Sequence, residues 1–158
     1  MIKKIVFYLK SFFNICIMTI IYFFTIFMKS KHKKTWLIAE RGYDAHDNGL
    51  VLYKYLKKNY PNQNIKYIID KNNSDSKNID SKDIVVYKSF KHYIFFAVSE
   101  ALISTHIFGF SPHIEVCLYL DKKNIRLYRG KKVFLQHGII KDNIKGLHYP
   151  NIKLDLFC

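Results

Sequence analysis

Five short apolar segments, each ending in polar residues, constrain the fold of this chain more than any other feature. They cover residues 35–39, 66–70, 84–87, 101–106 and 132–138. Apolar runs of this length are typical of strands buried on both faces. Helix-forming segments separate some of them, so the pattern predicts an α/β domain with a parallel, Rossmann-like sheet.

Capping residues predict two of the helices. Asp47 or Asn48 precedes an apolar segment that stops before Pro61, and Ser89 precedes a second one over residues 90–99. Residues 71–82 are rich in Asn, Ser and Asp and are predicted to form a loop. Residues 107–129 contain Gly109 and Pro112 and are predicted to be irregular.

The N-terminal segment has a different composition from the rest. Residues 1–34 contain seven Lys and no Asp or Glu, so half of the net charge of +14 lies there. Residues 11–28 are uncharged and borderline long enough to span a bilayer. A signal peptide is disfavoured because no small-residue cleavage site follows Met28. We therefore predict a membrane-attachment helix over 1–34 and an α/β domain over 35–158. Spanning and interfacial attachment both remain open.

The basic residues favour a membrane over a nucleic acid as partner. The densest cluster, Lys29, Lys31, Lys33 and Lys34, directly follows the apolar run, where anionic lipid headgroups attract cations. A basic nucleic-acid-binding protein is the weaker alternative, since these modules usually interleave cations with exposed aromatic residues. The three cysteines lack metal-ligand spacing, and His106 and His113 have no third ligand nearby. We predict no metal and no cofactor.

Polar clusters follow three of the predicted strands, at residues 40–48, 106–113 and 137–142. Ligands of parallel α/β sheets bind beyond the carboxyl ends of the strands, so these clusters predict a site. His137 is suited to act as a general base near neutral pH, although a structural histidine is an equal alternative. The adjacent Gly138 permits close backbone approach to a ligand.

The first cluster also supports two interpretations. Arg41 is suited to hold a phosphate, and Asp44 or Asp47 to orient a histidine or a substrate hydroxyl. Alternatively, Asp47 and Asn48 only cap the helix, and Arg41 pairs with Glu40 on the surface. The chain lacks the common glycine-rich nucleotide signatures.

Residues 36–49, WLIAERGYDAHDNG, strongly resemble the ERG..A.DNG signature of the CDP-glycerol glycerophosphotransferase family. Further similarities follow in the same order. Residues 66–69 resemble the family's second strand. Residues 87–92 resemble its GS.kH segment, with Lys88 where Gly is usual. Residues 102–106 and 134–142 resemble its LIS.H and LQHGI.KD elements.

The resemblance implies a GT-B-like architecture of two Rossmann-type domains, of which this chain would be the N-terminal half. The family transfers glycerol phosphate from CDP-glycerol to a lipid-linked teichoic-acid or capsule acceptor and releases CMP. The resemblance assigns His137 as the base. Arg41, Asp44, Asp47, Asn48 and Gly138 would bind substrate. The implied location is the cytoplasmic face of a bacterial cell membrane.

The resemblance covers about residues 36–142 and includes no second domain that would bind CDP-glycerol, which departs from the family pattern. We expect a truncated reading frame, a split gene or a fragment, and no transferase activity from the chain alone. A non-catalytic, membrane-bound acceptor-binding remnant is the alternative. The acceptor, and the choice between glycerol and ribitol phosphate, stay open.

Overall fold

A parallel sheet organises the part of the chain that the computed structural model describes, residues 2–27, 34–136 and 152–158. Its strands are β1 (Thr35–Ala39), β2 (Asn64–Ile69), β3 (Ile84–Val86), β4 (Ala101–Ser104), β5 (Lys131–Phe134) and β6 (Leu156–Phe157). The order is β3-β2-β1-β4-β5-β6, and neighbouring strands pair in parallel. The strand order reverses between β1 and β4, which is where doubly wound sheets bind ligands.

The helices are α1 (Ile2–Ile26), α2 (Asn48–Asn59), α3 (Phe90–Val98) and α4 (Ile114–Lys122). Asp47 caps α2, and the side chain of Ser89 caps α3 by accepting from the backbone of His92. Lys57 and Lys58 lie in the last turn of α2, where the helix dipole favours cations. Both predicted helices are confirmed, as is the α/β fold with its parallel sheet.

Side chains alternate across the sheet and form two cores. Leu37, Ile68 and Leu102 point to the face that α1, α3 and α4 cover. Ile38, Tyr67 and Ile103 point to the opposite face, which α2 covers. The result is a three-layer arrangement in which both faces of the central strands are buried, as their continuous apolar sequence requires.

The prediction that residues 107–129 are irregular is wrong, because α4 forms there. Val116, Cys117 and Leu120 recur at helical spacing and are all buried. Gly109 and Pro112 interrupt only the part of the segment before the helix, because Pro112 lies two residues before its start. Residues 71–82 do lack a long helix or strand, and contain the 3-10 turns Ser74–Asn78 and Ser81–Asp83.

Helix α1 packs against the domain along one side only. Met18, Ile21 and Thr25 are buried at the i, i+3, i+7 spacing of one helix face, and α1 contacts α3 and α4. Met18 belongs to the core cluster that includes residues of α3 and α4. The opposite side exposes large apolar residues, namely Phe13, Ile20, Phe23, Phe24 and Phe27. The stretch Val6–Ile26 has 21 residues with a mean hydropathy of 1.7, which is long and apolar enough to cross a membrane by length and composition.

Candidate active site

Glu40, the first residue after β1, organises the loop that leads into α2. It is 1% exposed, and its Oε1 accepts hydrogen bonds from the backbone N–H groups of Asp47 (2.8 Å) and Leu50 (3.2 Å). Oε2 accepts from the backbone of His46 at 3.1 Å. The phenol of Tyr67 on β2 donates to Oε1 at 3.0 Å. One buried carboxylate therefore accepts from backbone N–H groups of the loop and of the first turn of α2, where the helix dipole favours negative charge.

The loop after β4 packs directly on this carboxylate-held loop. Ser104 Oγ donates to the backbone carbonyl of Glu40 at 2.9 Å and accepts from the backbone of His106 at 3.1 Å. A Cβ on Gly109 would lie 1.9 Å from the same Glu40 carbonyl oxygen. Only glycine permits this approach, so Gly109 lets the two loops close on each other at the switch point of the sheet.

Arg41 and His106 meet across the switch point. Arg41 Nε donates to His106 Nε2 at 3.0 Å. A neutral His106 that accepts on Nε2 carries its proton on Nδ1, which lies 3.2 Å from Thr105 Oγ1. The Arg41 side chain is exposed, and a hydrogen bond with Tyr43 raises the pKa of Arg41. The predicted surface ion pair between Arg41 and Glu40 is therefore wrong, because Glu40 is buried and the Arg41 side chain binds His106.

Asp44 and Asp47, the two acids predicted to bind substrate, hydrogen-bond the backbone of the loop between β1 and α2. Asp44 is 6% exposed and accepts from the backbone N–H of Arg41 at 3.1 Å. Asp47 is the N-cap of α2, and its Oδ1 accepts from the backbone of Asn48 at 2.8 Å. Asp47 therefore caps α2, as one of the two interpretations expected. Asp44 holds the backbone of Arg41, and Asp47 holds the backbone of Asn48.

Asn48 connects the first loop to the end of β5. Its Nδ2 donates to the backbone carbonyl of Gln136 at 2.5 Å. A cavity of about 360 Å³ opens here, lined by Asn48, Tyr55, Leu135, Gln136 and Cys158 among others. His137 and Gly138 follow Gln136 in the chain and lie outside the described residues. The structure therefore brings Arg41, which follows β1, and Asn48, which contacts the end of β5, to the carboxyl-end edge of the sheet.

A second set of ligand-type residues lies within this loop. Glu40, Asp44 and His46 place one ligand atom each within 4.8 Å of one another, as a cation site would require. Both Glu40 oxygens are already hydrogen-bonded to the loop, and His46 Nδ1 lies 3.2 Å from Asp75 Oδ2. That contact raises the pKa of His46 and lowers the pKa of Asp75. These residues stabilise the loop through the contacts that they make.

His92 is a structural residue that the sequence analysis singled out only through its motif. It is fully buried, and its Nδ1 accepts from the backbone of Lys88 at 3.0 Å while Nε2 lies 2.9 Å from the Phe110 carbonyl. Burial lowers the pKa of His92 to about 4, so the ring is neutral at pH 7 and Nε2–H donates to Phe110. It joins the loop after β3 to the loop after β4.

Comparison with known proteins decides the family of the chain. The model of the family described as CDP-glycerol:poly(glycerophosphate) glycerophosphotransferase matches residues 20–142. The chain belongs to this family. The matched region of the glycerophosphotransferase domain includes Glu40, Arg41, Asn48, His106 and the segment through His137.

A curated relative agrees with this assignment. The chain is 34% identical over a 137-residue alignment to the minor teichoic acid biosynthesis protein GgaB of Bacillus subtilis (strain 168), and the match covers 83% of the chain. The chain spans 14% of the length of that relative. No solved structure matches the chain.

Sequence reasoning missed the role of His106. His106 belongs to a polar cluster that predicts a site and to the LIS.H element, but the only individual role considered for it from the sequence is that of a metal ligand. Its place at a strand end within a family motif was the sequence signal that could have indicated a role in the site. Its pairing with Arg41 was not predictable, because the two residues are 65 positions apart in the chain.

Proposed function

We propose that this chain forms the acceptor side of a glycerophosphotransferase that moves glycerol phosphate from CDP-glycerol to a lipid-linked teichoic-acid or capsule acceptor. The contact between Arg41 and His106 at the switch point carries the proposal, because it joins two family elements where the fold places ligands. Family membership and the teichoic-acid relative support the same chemistry.

The reaction needs charge stabilisation and one proton transfer. The acceptor hydroxyl oxygen attacks the phosphorus that carries glycerol, the new P–O bond forms, and the bond to the bridging oxygen breaks. CMP leaves with that electron pair. The proton of the hydroxyl passes to His137, which directly follows the Asn48-bound Gln136. The exposed guanidinium of Arg41 provides a planar, permanently charged group that suits phosphate oxygens.

We further propose that residues 1–34 attach the acceptor-side domain, residues 35–158, to the cytoplasmic face of a bacterial membrane. In this arrangement α1 lies in the interface instead of spanning the bilayer. One face of α1 is occupied by α3 and α4, whereas the other exposes Phe13, Ile20 and Phe24. Attachment would raise the encounter rate with a lipid-linked acceptor. The lysines near both ends of α1 would attract anionic headgroups.

The proposal requires a separate domain that binds CDP-glycerol. We therefore expect membranes containing the chain to release CMP from CDP-glycerol only when a C-terminal family domain is co-expressed. Turnover by the chain alone would refute this requirement. No turnover with a folded, CDP-glycerol-binding partner would instead favour the non-catalytic acceptor-binding remnant. Salt-sensitive binding to nucleic acid would instead favour a basic nucleic-acid-binding protein.

A further inference from the structure

Two adjoining cavities lie between α1 and the segment that enters α4. The first is an apolar groove of about 360 Å³, lined by Phe7, Tyr8, Phe12, Ile15, Val116 and Tyr119. The second is a cleft of about 270 Å³, lined by Lys10, Asn14, Lys88 and His113 among others. Phe7, Ser11, Glu115 and Val116 line both, so the groove and the cleft are continuous. Together they form a space with an apolar part and a cationic part.

Lys88 holds its place in the cleft at a conformational cost. Its φ is +60°, in the left-handed region that disfavours side chains with a Cβ and that glycine adopts freely. Residues kept in such conformations cluster at active sites and ligand sites, where the surrounding structure holds them. Its Nζ lies 5.1 Å from the centroid of the Tyr87 ring, which also lines the cleft. A lysine at a glycine-type position therefore points to a use for the ammonium group.

Neither lysine of the cleft forms a salt bridge within the part of the chain that the structure describes. Salt bridges in the described residues involve His46, Lys57, Lys66, Lys82, Lys131 and Lys132, and neither Lys10 nor Lys88 is among them. Glu115 lines the cleft but forms no ion pair with either in that part of the chain. Burial chiefly, and the charge of Lys88 in addition, lower the pKa of His113. Lys10 and Lys88 outnumber the one acid of the lining, Glu115, so the cleft carries a net positive charge. An anion is the ligand that this field favours.

We propose that the groove and cleft bind one anionic phospholipid of the bilayer, with its phosphate at Lys10 and Lys88 and an acyl chain along Phe12, Ile15 and Tyr119. The proposal rests on the membrane attachment proposed above and gives it a specific site. The same helix provides both the apolar wall of the groove and the exposed stripe Phe13, Ile20 and Phe24. A lipid that enters from the interface could therefore place its acyl chain in the apolar groove and its phosphate in the cationic cleft at the same time.

Binding to the full chain in uncharged maltoside micelles tests the proposal without any catalytic readout. Phosphatidylglycerol should bind saturably at one site per chain, and glycerol phosphate, which has the headgroup without acyl chains, should bind far more weakly. Lys88→Gln and Lys10→Gln should each weaken binding about fivefold. Lys91→Gln is the matched control: Lys91 is exposed on α3, outside the cleft, and its loss should change binding by less than about twofold.

Lys88→Gly separates lost binding from lost folding. It removes the same charge and relieves the backbone strain, so it should weaken phosphatidylglycerol like Lys88→Gln but melt at the same or a higher temperature. Equal weakening by Lys88→Gln and Lys91→Gln, or uptake that does not saturate, would overturn the site and leave only surface attraction. Tighter binding of a polyprenyl phosphate than of phosphatidylglycerol would also overturn it, and would assign the groove to a lipid-linked acceptor. CMP release does not enter any of these outcomes.

Discussion

Arg41 Nε lies 3.0 Å from His106 Nε2, and this contact joins the loop after β1 to the loop after β4. Hydrogen bonds to their backbone N–H groups fix both residues in place. Asp44 accepts from the Arg41 backbone, and Ser104 accepts from the His106 backbone. The guanidinium is thus presented at the switch point with its charge available to a ligand phosphate.

Replacing Arg41 tests its proposed contact with phosphate. Arg41→Lys keeps the charge but loses the planar fork and the Nε–H that binds His106. We expect the kcat/KM of the complex with a C-terminal domain to fall on the order of 10²-fold, with little change in melting temperature, because the side chain is exposed. Activity equal to wild type would remove Arg41 from the site.

His106 should act by positioning Arg41. His106→Gln retains an oxygen that accepts from Arg41 Nε, whereas His106→Ala retains no acceptor. We therefore expect the glutamine variant to recover most of the kcat/KM that the alanine variant loses. Equal loss in both variants would assign the imidazole a role of its own.

Glu40 should be the residue on which the first loop depends. Glu40→Gln replaces one acceptor oxygen with an NH₂ group that faces N–H donors, leaving buried groups unsatisfied. We expect a loss of about 2–4 kcal/mol in the free energy of unfolding, measured in urea. Tyr67→Phe removes one donor of the same cluster and should cost about 1 kcal/mol. A larger loss from Tyr67→Phe than from Glu40→Gln would contradict this hierarchy.

His92 should make the domain sensitive to acid. Its pKa is lowered to about 4 in the folded state, chiefly by burial and further by the nearby charges of His113 and Lys88. In the unfolded chain the same ring has a pKa near 6.5, so acid protonates the unfolded state first. The contribution of His92 to the free energy of unfolding is therefore fully present above about pH 6.5 and is lost as the pH falls toward 4. The loss can reach about 3 kcal/mol. His92→Gln should flatten this dependence in urea titrations at pH 7.5 and 5, and an unchanged slope would contradict the assignment.

His46 should show the opposite pH dependence of stability to His92. Its hydrogen bond with Asp75 raises the pKa of His46, so its contribution to stability is present below pH 6.5 and is lost as the pH rises through the folded pKa. An NMR titration should therefore give His46 a pKa above the ordinary value. Asp75→Asn should return it toward that value.

The buried pair of Lys132 and Asp121 fixes α4 to β5. Lys132 is 0% exposed, and its Nζ donates to Asp121 Oδ1 at 2.8 Å. Asp121→Ala should cost about 3–5 kcal/mol because it leaves a buried ammonium without its partner. The double variant Asp121→Leu with Lys132→Met should be much closer to wild type in thermal unfolding. A double variant as unstable as Asp121→Ala would mean that the loss comes from packing.

Local sequence signals predicted the framework because they act over a few residues. Asp47 and Ser89 mark helix starts through their own side chains, and the continuous apolar runs mark strands that are buried on both faces. Helix α4 was missed because Gly109 and Pro112 are also local signals, and they describe the loop before the helix but not the helix itself. The site contacts could not be predicted in the same way. Arg41 and His106, or Asn48 and Gln136, meet only after the sheet has set the strand order.

CMP release by the chain together with a C-terminal family domain, compared between wild type and His137→Ala, tests the account most directly. We predict that the wild-type pair turns over CDP-glycerol and that His137→Ala loses at least about 10²-fold in kcat while the chain still folds and binds its partner. Full activity of His137→Ala would contradict the proposed base and, with it, the assignment of this edge of the sheet as the acceptor site.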